Sequence, residues 1–427
     1  MRHLRCMAPK DQKENTGAWI IHHGRKLAMD QAGPAEYPAI DEAAKAATLL
    51  AKLGEHDEAK LTRKEVEAIA RASNLNPRHE LNGLLKTLED KRLVEQSASE
   101  IVVVGVTTRA ALGHAVDIFA DAEPSKYERA ALDLGDWASD QPLKQKDAEQ
   151  QLGDMHKLAS HEVKDFLNRA EQIGFVDTEG EPGSRLYFNG NLFRRDGVEK
   201  TTRVLDSLGS GDHAKVLEVR TLLDTRGCVP FAEVERILGV PLFEKLRAAG
   251  IYDVNIVGNE SGEHSYVTAP SAFHKFVNPM VDDSFDMAKA LVAALTYGIN
   301  ARSSSQGRIM LPQVLIGKLI RGGEVGPATA IGQDYRVLEL HRVVKLRQDP
   351  QYKNRFHMRL LKREIGELAL KVLTTGDASA HALELPGAPM ASYTEPETAR
   401  TNTRRRQAKP SKKQTQDVLE ALRGGRF

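Results

Sequence analysis

The feature that most constrains this chain is a short pattern that recurs four times. It reads Arg92-Leu93-Val94-Glu95, Gly174-Phe175-Val176-Asp177, Gly250-Ile251-Tyr252-Asp253 and Arg342-Val343-Val344-Lys345. In each copy an apolar residue, Leu88, Ala170, Leu246 or Leu338, lies five positions before the first apolar residue of the pattern. The copies are 82, 76 and 92 residues apart, counted from Leu93 to Phe175, Ile251 and Val343. A recurrence of this kind indicates one supersecondary unit used repeatedly, and 427 residues exceed what a single core ordinarily organises.

The residues around each copy predict the unit. In the first, Asp41–Leu53 has helical periodicity, and Thr62 with Glu65 forms a capping box that opens a helix over Arg63–Ala72. Asn76-Pro77 predicts the start of a third helix, with Leu81, Leu84, Leu85 and Leu88 on one face. Two short apolar strands, Leu93-Val94-Glu95 and Ile101–Val104, follow around a polar turn. The second copy predicts helices over Lys126–Ala138, over Lys144–Leu152 and from Ser160, before a hairpin ending in Arg185–Phe188. The third predicts helices over His213–Leu223, Phe231–Leu238 and Leu242–Ala248, then strands at Ile251–Val257 and Glu263–Val267. In the fourth, Ser284–Tyr297, Leu311–Ile320 and Ala328–Leu340 are the predicted helices, and Val343–Gln348 and Arg355–Leu360 the strands, with Glu364–Leu373 closing the unit.

Three helices followed by a β-hairpin resembles the winged helix, so the chain from Ala39 to about Gly376 resembles a tandem winged-helix, helix-turn-helix protein. The expected fold is therefore mainly α with small β-hairpins (α+β): about four winged-helix domains in tandem, with flexible N- and C-terminal tails. Residues 1–39, polar and carrying Gly24, Gly33, Pro34 and Pro38, are expected to be a flexible arm. The units are expected over 40–122, 123–205, 206–278 and 279–384, followed over 385–427 by a Pro-containing linker and basic tail.

Charge distinguishes the units. The chain has 60 Lys/Arg against 59 Asp/Glu, a net +1, but this average hides a gradient. Ile299–Thr375 carries fourteen Lys/Arg and six Asp/Glu, and Thr398–Phe427 nine against two. Those segments contribute +8 and +7, so the rest of the chain carries −14. A basic end on an acidic body suits a polyanion partner, although a basic tail also serves solubility.

Catalytic signatures are lacking. The sequence has no phosphate-loop motif, and Gly322–Gly326, glycine-rich but without a preceding strand, reads as a loop between the second and third helices. Gly209–His213 reads as a linker, because its Ser, Asp and His are too close in sequence to form a triad. None of the fourteen His has metal-ligand spacing, and Cys6 and Cys228 make neither a zinc knuckle nor a disulfide framework. No enzyme, cofactor or metal is expected. No apolar run reaches membrane-spanning length and no secretory signal opens the chain, so a cytoplasmic location away from membranes is expected.

Binding chemistry remains. In the first unit Arg78, Asn82 and Lys86 lie opposite the leucines, types suited to guanine, adenine and phosphate. In the fourth, Arg336 and Arg342 border a hairpin carrying Lys345, Arg347, Lys353, Arg355, His357 and Arg359. Arg355, His357 and Arg359 alternate with Phe356, Met358 and Leu360, which predicts a basic strand face. Such a face fits phosphates, although Lys and Arg also protect edge strands from aggregation. Arg404, Arg405 and Arg406 in the tail would grip phosphate without base preference. Two segments, Asn189–Arg195 and Gly326–Tyr335, look motif-like without a physical account.

The expected function is non-enzymatic binding of double-stranded DNA, in transcription regulation or in a mobile-element or defence system. The alternatives are a protein-interaction scaffold, favoured by the acidic first three units, and a plasmid-type replication initiator. Self-association fits either class.

Overall fold

A computed structural model of the protein describes residues 9–54, 60–97, 100–104, 108–195, 197–259, 262–276 and 282–379. The chain is mainly helical, with small three-stranded antiparallel sheets. The first elements among the described residues are α1 (Pro9–Leu27) and a short α2 (Gly33–Glu36). Next come α3 (Pro38–Gly54), β1 (Lys60–Thr62), α4 (Arg63–Ala72), α5 (Leu81–Asp90), β2 (Val94–Gln96) and β3 (Glu100–Val103), then α6 (Thr108–Asp121). The order helix, strand, two helices, two strands repeats in α7 (Lys126–Asp140), β4 (Leu143–Lys144), α8 (Gln145–His156), α9 (Ser160–Ile173), β5 (Asp177–Glu179) and β6 (Leu186–Phe188). After a linking α10 (Val198–Asp206) it returns in α11 (Ser210–Arg226), β7 (Val229–Pro230), α12 (Phe231–Leu238), α13 (Val240–Ala248), β8 (Asp253–Asn259) and β9 (Gly262–Thr268).

Two further helices, α14 (Ser271–His274) and α15 (Asp282–Asn300), lead into the last unit. It consists of α16 (Pro312–Ile320), β10 (Glu324–Ala328), α17 (Thr329–Asp334), α18 (Arg336–Leu340), β11 (Val344–Gln348) and β12 (Phe356–Leu360), followed by α19 (Arg363–Thr375). Among the described residues all four sheets share one arrangement, in which the strand before the second helix pairs with the last strand: β1-β3-β2, β4-β6-β5, β7-β9-β8 and β10-β12-β11.

The recurrent sequence pattern has one backbone cause. The amides of Leu93, Phe175, Ile251 and Val343 donate to the carbonyls of Leu88, Ala170, Leu246 and Leu338, at 2.9, 2.8, 3.1 and 2.8 Å. The residues just before them, Arg92, Gly174, Gly250 and Arg342, have φ of 58°, 91°, 76° and 54°. Each third helix thus ends in a left-handed residue that turns the chain back, and the next amide closes onto the carbonyl five residues earlier. The conserved spacing of five within each copy is the length of that hydrogen-bonded ring.

Several expectations change. Residues 9–27 are a helix whose middle is buried in the molecule: Ala18, Trp19 and Ile20 are within 2% of fully buried. Gly24, read as a breaker, is instead a packing residue. A Cβ there would lie 2.1 Å from the Ala44 Cβ, and one on Gly17 would lie 2.0 Å from the Leu112 carbonyl oxygen. Glycine at both positions lets α1 press against α3 and α6. Gly209 caps α11, and Ser210 begins it, so the segment read as a linker is a helix start. In the fourth unit the helix expected over Ala328–Leu340 is divided into α17 and α18. The glycine-rich loop before it is partly a strand, β10, whose Gly326–Pro327 peptide is cis.

The cores cross unit boundaries. One continuous cluster joins α1, the first two units and Phe276, and another joins α15, α19 and the last unit to Cys228, Val257 and Tyr266 of the third. Buried polar ties reinforce this. Glu128, on α7 and 1% exposed, accepts from the amides of Ala39 (2.6 Å) and Ile40 (3.2 Å), satisfying the start of α3, while its other oxygen accepts from Ser125 N. Fully buried Lys275 donates to Asp377 at 2.9 Å and lies 3.5 Å from Asp136. Its carbonyl accepts from Asn189 Nδ2 at 2.9 Å and Asn191 Nδ2 at 3.1 Å, which gives the Asn189–Arg195 segment a structural task.

Candidate nucleic-acid interface

The last sheet is built so that its two faces differ. Along β12, Met358 and Leu360 are buried and Phe356 is half-buried, while Arg359 is exposed and His357 lies on the same side as Arg359. Phe356 sits against Gly332 of α17, where a Cβ would come within 2.3 Å of the ring. Asp334, four residues before Leu338, accepts from Arg302 Nε at 3.0 Å, from Arg302 Nη2 and from Asn259 Nδ2 at 3.1 Å. The Gly326–Tyr335 segment therefore seats the sheet. It holds the inner face down and leaves the outer one to solvent.

On the outer face β11 and β12 bring their cations side by side. Lys345 stands directly opposite Arg359, and Arg347 directly opposite His357. Lys345 and Arg359, like charges in direct cross-strand register, repel. Neither Lys345 nor Arg359 forms an ion pair among the described residues, although Glu324 lies in register beyond Arg359. Lys353 and Arg355 are exposed on the connecting turn, and the Arg355 guanidinium lies 4.7 Å over the Tyr352 ring. Arg342 is exposed, and so is Arg336, whose Nε donates to the Gly332 carbonyl at 2.8 Å.

Two acids on this face were not singled out from the sequence. Glu324 on β10 accepts a fork from Arg347, Nε to Oε1 at 3.2 Å and Nη2 to Oε2 at 2.8 Å. The Arg347 hydrogen bond holds the Glu324 carboxyl below its ordinary pKa and raises that of the guanidinium. Asp349 accepts from the amides of Gln351 and Tyr352 and lies 2.9 Å from His357 Nε2; the His357 hydrogen bond lowers its pKa. Glu324 was hidden because its segment read as a loop, and Asp349 because it falls between the two expected strands. Of the basic residues named from the sequence, Arg347 and His357 are thus hydrogen-bonded to acids, whereas Arg359, between Glu324 and Lys345 in register, feels the Glu324 charge without an ion-pair contact.

In the first unit the expected row is broken. Arg78 lies in the turn before α5 rather than on it, since the helix starts at Leu81, four residues after Pro77. Asn82 and Lys86 are exposed on α5, and the Asn82 amide oxygen accepts from Arg63 Nη2, which adds a cation the sequence did not flag. In the third unit Asp253 pairs with Lys289 at 3.0 Å, tying the hairpin to α15. Arg404, Arg405 and Arg406 lie outside the described residues.

Among the described residues no helix is long and apolar enough to cross a membrane, and no group of three His, Cys, Asp or Glu could hold a metal ion. Cys228 is buried, which pushes its thiol up to about 12. The chain matches no protein-family model, no curated protein and no solved structure.

Proposed function

We propose that this chain binds duplex DNA, that its four repeated units are winged helices, and that the last of them grips the phosphate backbone with the outer face of its sheet. The reading of the units is supported by their shared order of helix, strand, two helices and hairpin, with the first strand paired to the last in each. The observation that carries the functional reading is the direct register of Lys345 with Arg359. Glu324, in register on the other side of Arg359, offsets part of the repulsion between the two cations, and a phosphate placed between them removes more of it. Each phosphate they neutralise releases condensed counterions. The tail with Arg404–Arg406 adds affinity that does not depend on base identity.

Duplex affinity measured against salt tests this reading. Wild type, a variant with Lys345, Arg347, Arg355 and Arg359 changed to Ala, and a chain lacking residues 398–427 are compared. Each lost phosphate contact lowers the slope of log K against log salt by about 0.9. The four-site variant should lose roughly two to three such contacts. Slopes unchanged in both variants would overturn the assignment.

A scaffold function is favoured by a different observation. Met310, Leu311 and Val314 are 75%, 65% and 61% exposed at the start of α16, an apolar stretch of the kind that meets protein partners. Recovery of a stoichiometric partner after nuclease treatment, lost on changing these three residues to polar ones, would favour it over DNA.

A further inference from the structure

The third helices of the four units expose different chemistry. Those of the first two show polar and charged residues to solvent, including Asn82 and Lys86 on α5 and Lys164 and Asn168 on α9. In the most basic unit α18 does the opposite. Val337 is 60% and Leu340 80% exposed, one turn apart, while Leu338 between them is buried. Arg336 stands before this pair, and Arg342 and Lys345 after it, all exposed. The helix is capped at its end by the left-handed Arg342 turn and tied to the hairpin by Glu339, which accepts from the Leu346 amide at 3.1 Å. Its exposed face is therefore held in fixed relation to the basic sheet.

An exposed aliphatic pair flanked along the chain by three exposed cations, with the one intervening acid, Glu339, accepting from the Leu346 amide, calls for a partner that is apolar in spots and anionic around them. The major groove of DNA has that pattern: the 5-methyl group of thymine projects into it, and phosphates line both sides. We propose that Val337 and Leu340 contact thymine methyl groups in the major groove while Arg336, Arg342 and Lys345 meet the flanking phosphates. The protein would then prefer duplexes with a methyl group at pyrimidine C5. This proposal rests on the DNA-binding reading above and adds to it what the helix recognises. An acidic protein surface with apolar contacts is the competing occupant, and the test separates the two.

The probes are an alternating dA–dT duplex and the same duplex with deoxyuridine replacing thymidine, which removes only the methyl. Wild type should bind the thymine duplex roughly three- to tenfold more tightly, the scale of one or two buried methyl groups. The variant V337A/L340A should bind both alike. An alternating dG–dC duplex carrying 5-methylcytosine places a methyl at the same groove position and should regain part of the preference over its unmethylated form. Both changed residues are exposed, so the variant should keep the wild-type melting temperature, which checks its fold. Equal wild-type binding to the thymine and uracil duplexes would overturn the proposal and leave DNA binding intact. No binding to any duplex would overturn the DNA reading itself. A variant with unchanged discrimination but lost self-association would assign the patch to a protein contact and overturn the proposal too.

Discussion

Lys371 Nζ lies 2.6 Å from Glu14 Oε2, joining the last described helix to the first across 357 residues of chain. Both side chains are at most 10% exposed. The contact closes the array, so that α1 is shared property of both ends of the molecule.

Removing either partner takes a charge-assisted hydrogen bond away from a buried counterion. Glu14→Ala and Lys371→Ala should each cost about 3 kcal/mol in urea unfolding, with the double variant costing less than the sum. If the single variants were both near neutral, α1 would not be held by this pair.

Burial should also make the protein acid-sensitive. His23, fully buried on α1, lies with Nε2 3.0 Å from the Ala131 carbonyl, which can only accept, so Nε2 carries the proton of a neutral ring. Burial first, and Lys26 second, lower its pKa to about 3. The unfolded chain takes up this proton near pH 6.5 and the folded one does not, so stability is full above that value and falls as pH drops toward 3. Between pH 7 and pH 4.5 the group should cost about 2.5 kcal/mol. His23→Gln, which keeps a donor but does not titrate, should remove that part of the pH dependence; an unchanged difference between the two pH values would contradict it.

Left-handed turns end the third helices, and Gly250 isolates their conformational cost. Nothing lies within 4 Å of a Cβ added there, and its φ is +76°. Gly250→Ala should therefore destabilise by about 1 kcal/mol without any clash. Arg92→Gly, at φ 58°, should move stability the other way by less, because glycine also loosens the unfolded chain. Chemical denaturation of both variants measures the two terms.

Glu324 should restrain the basic face. Its fork with Arg347 competes with phosphate for the same guanidinium. Glu324→Gln should raise duplex affinity severalfold and steepen the salt dependence by about one contact. Fluorescence anisotropy at several salt concentrations reads both; weaker binding by this variant would mean that the pair orients Arg347 for DNA.

Much of the helical framework could be read directly. Phe231–Leu238 coincides with α12, and the Thr62–Glu65 capping box opens α4 as expected. These are local features, stated by caps and by leucines at helical spacing. The strands β1, β4, β7 and β10, of two to five residues, were missed because so short a segment carries no periodicity. Helix α1 was missed for a related reason. It buries Glu14, His22, His23 and Lys26 along with Trp19 and Ile20, so its sequence shows no clean apolar stripe, and the glycines that let it pack resemble those that break helices. At the candidate interface the alternation of β12 was legible, but Glu324 and Asp349 were not, because their pairing with Arg347 and His357 depends on strands meeting across the sheet.

By itself the sequence determined the repeat, its helices and hairpins, and the basic character of the last unit, because each depends on residues near one another in the chain. The tertiary structure alone decided that α1 belongs to the core, that the units share cores across their boundaries, and that Lys345 faces Arg359 while Glu324 holds Arg347. The first two relations are set by close approach of distant segments, and the last by strand register, which within the β11–β12 hairpin as well as between β10 and β12 no single stretch of sequence states. A cation's place in the sequence says that it is present, and only its neighbours in space say whether an acid already holds it.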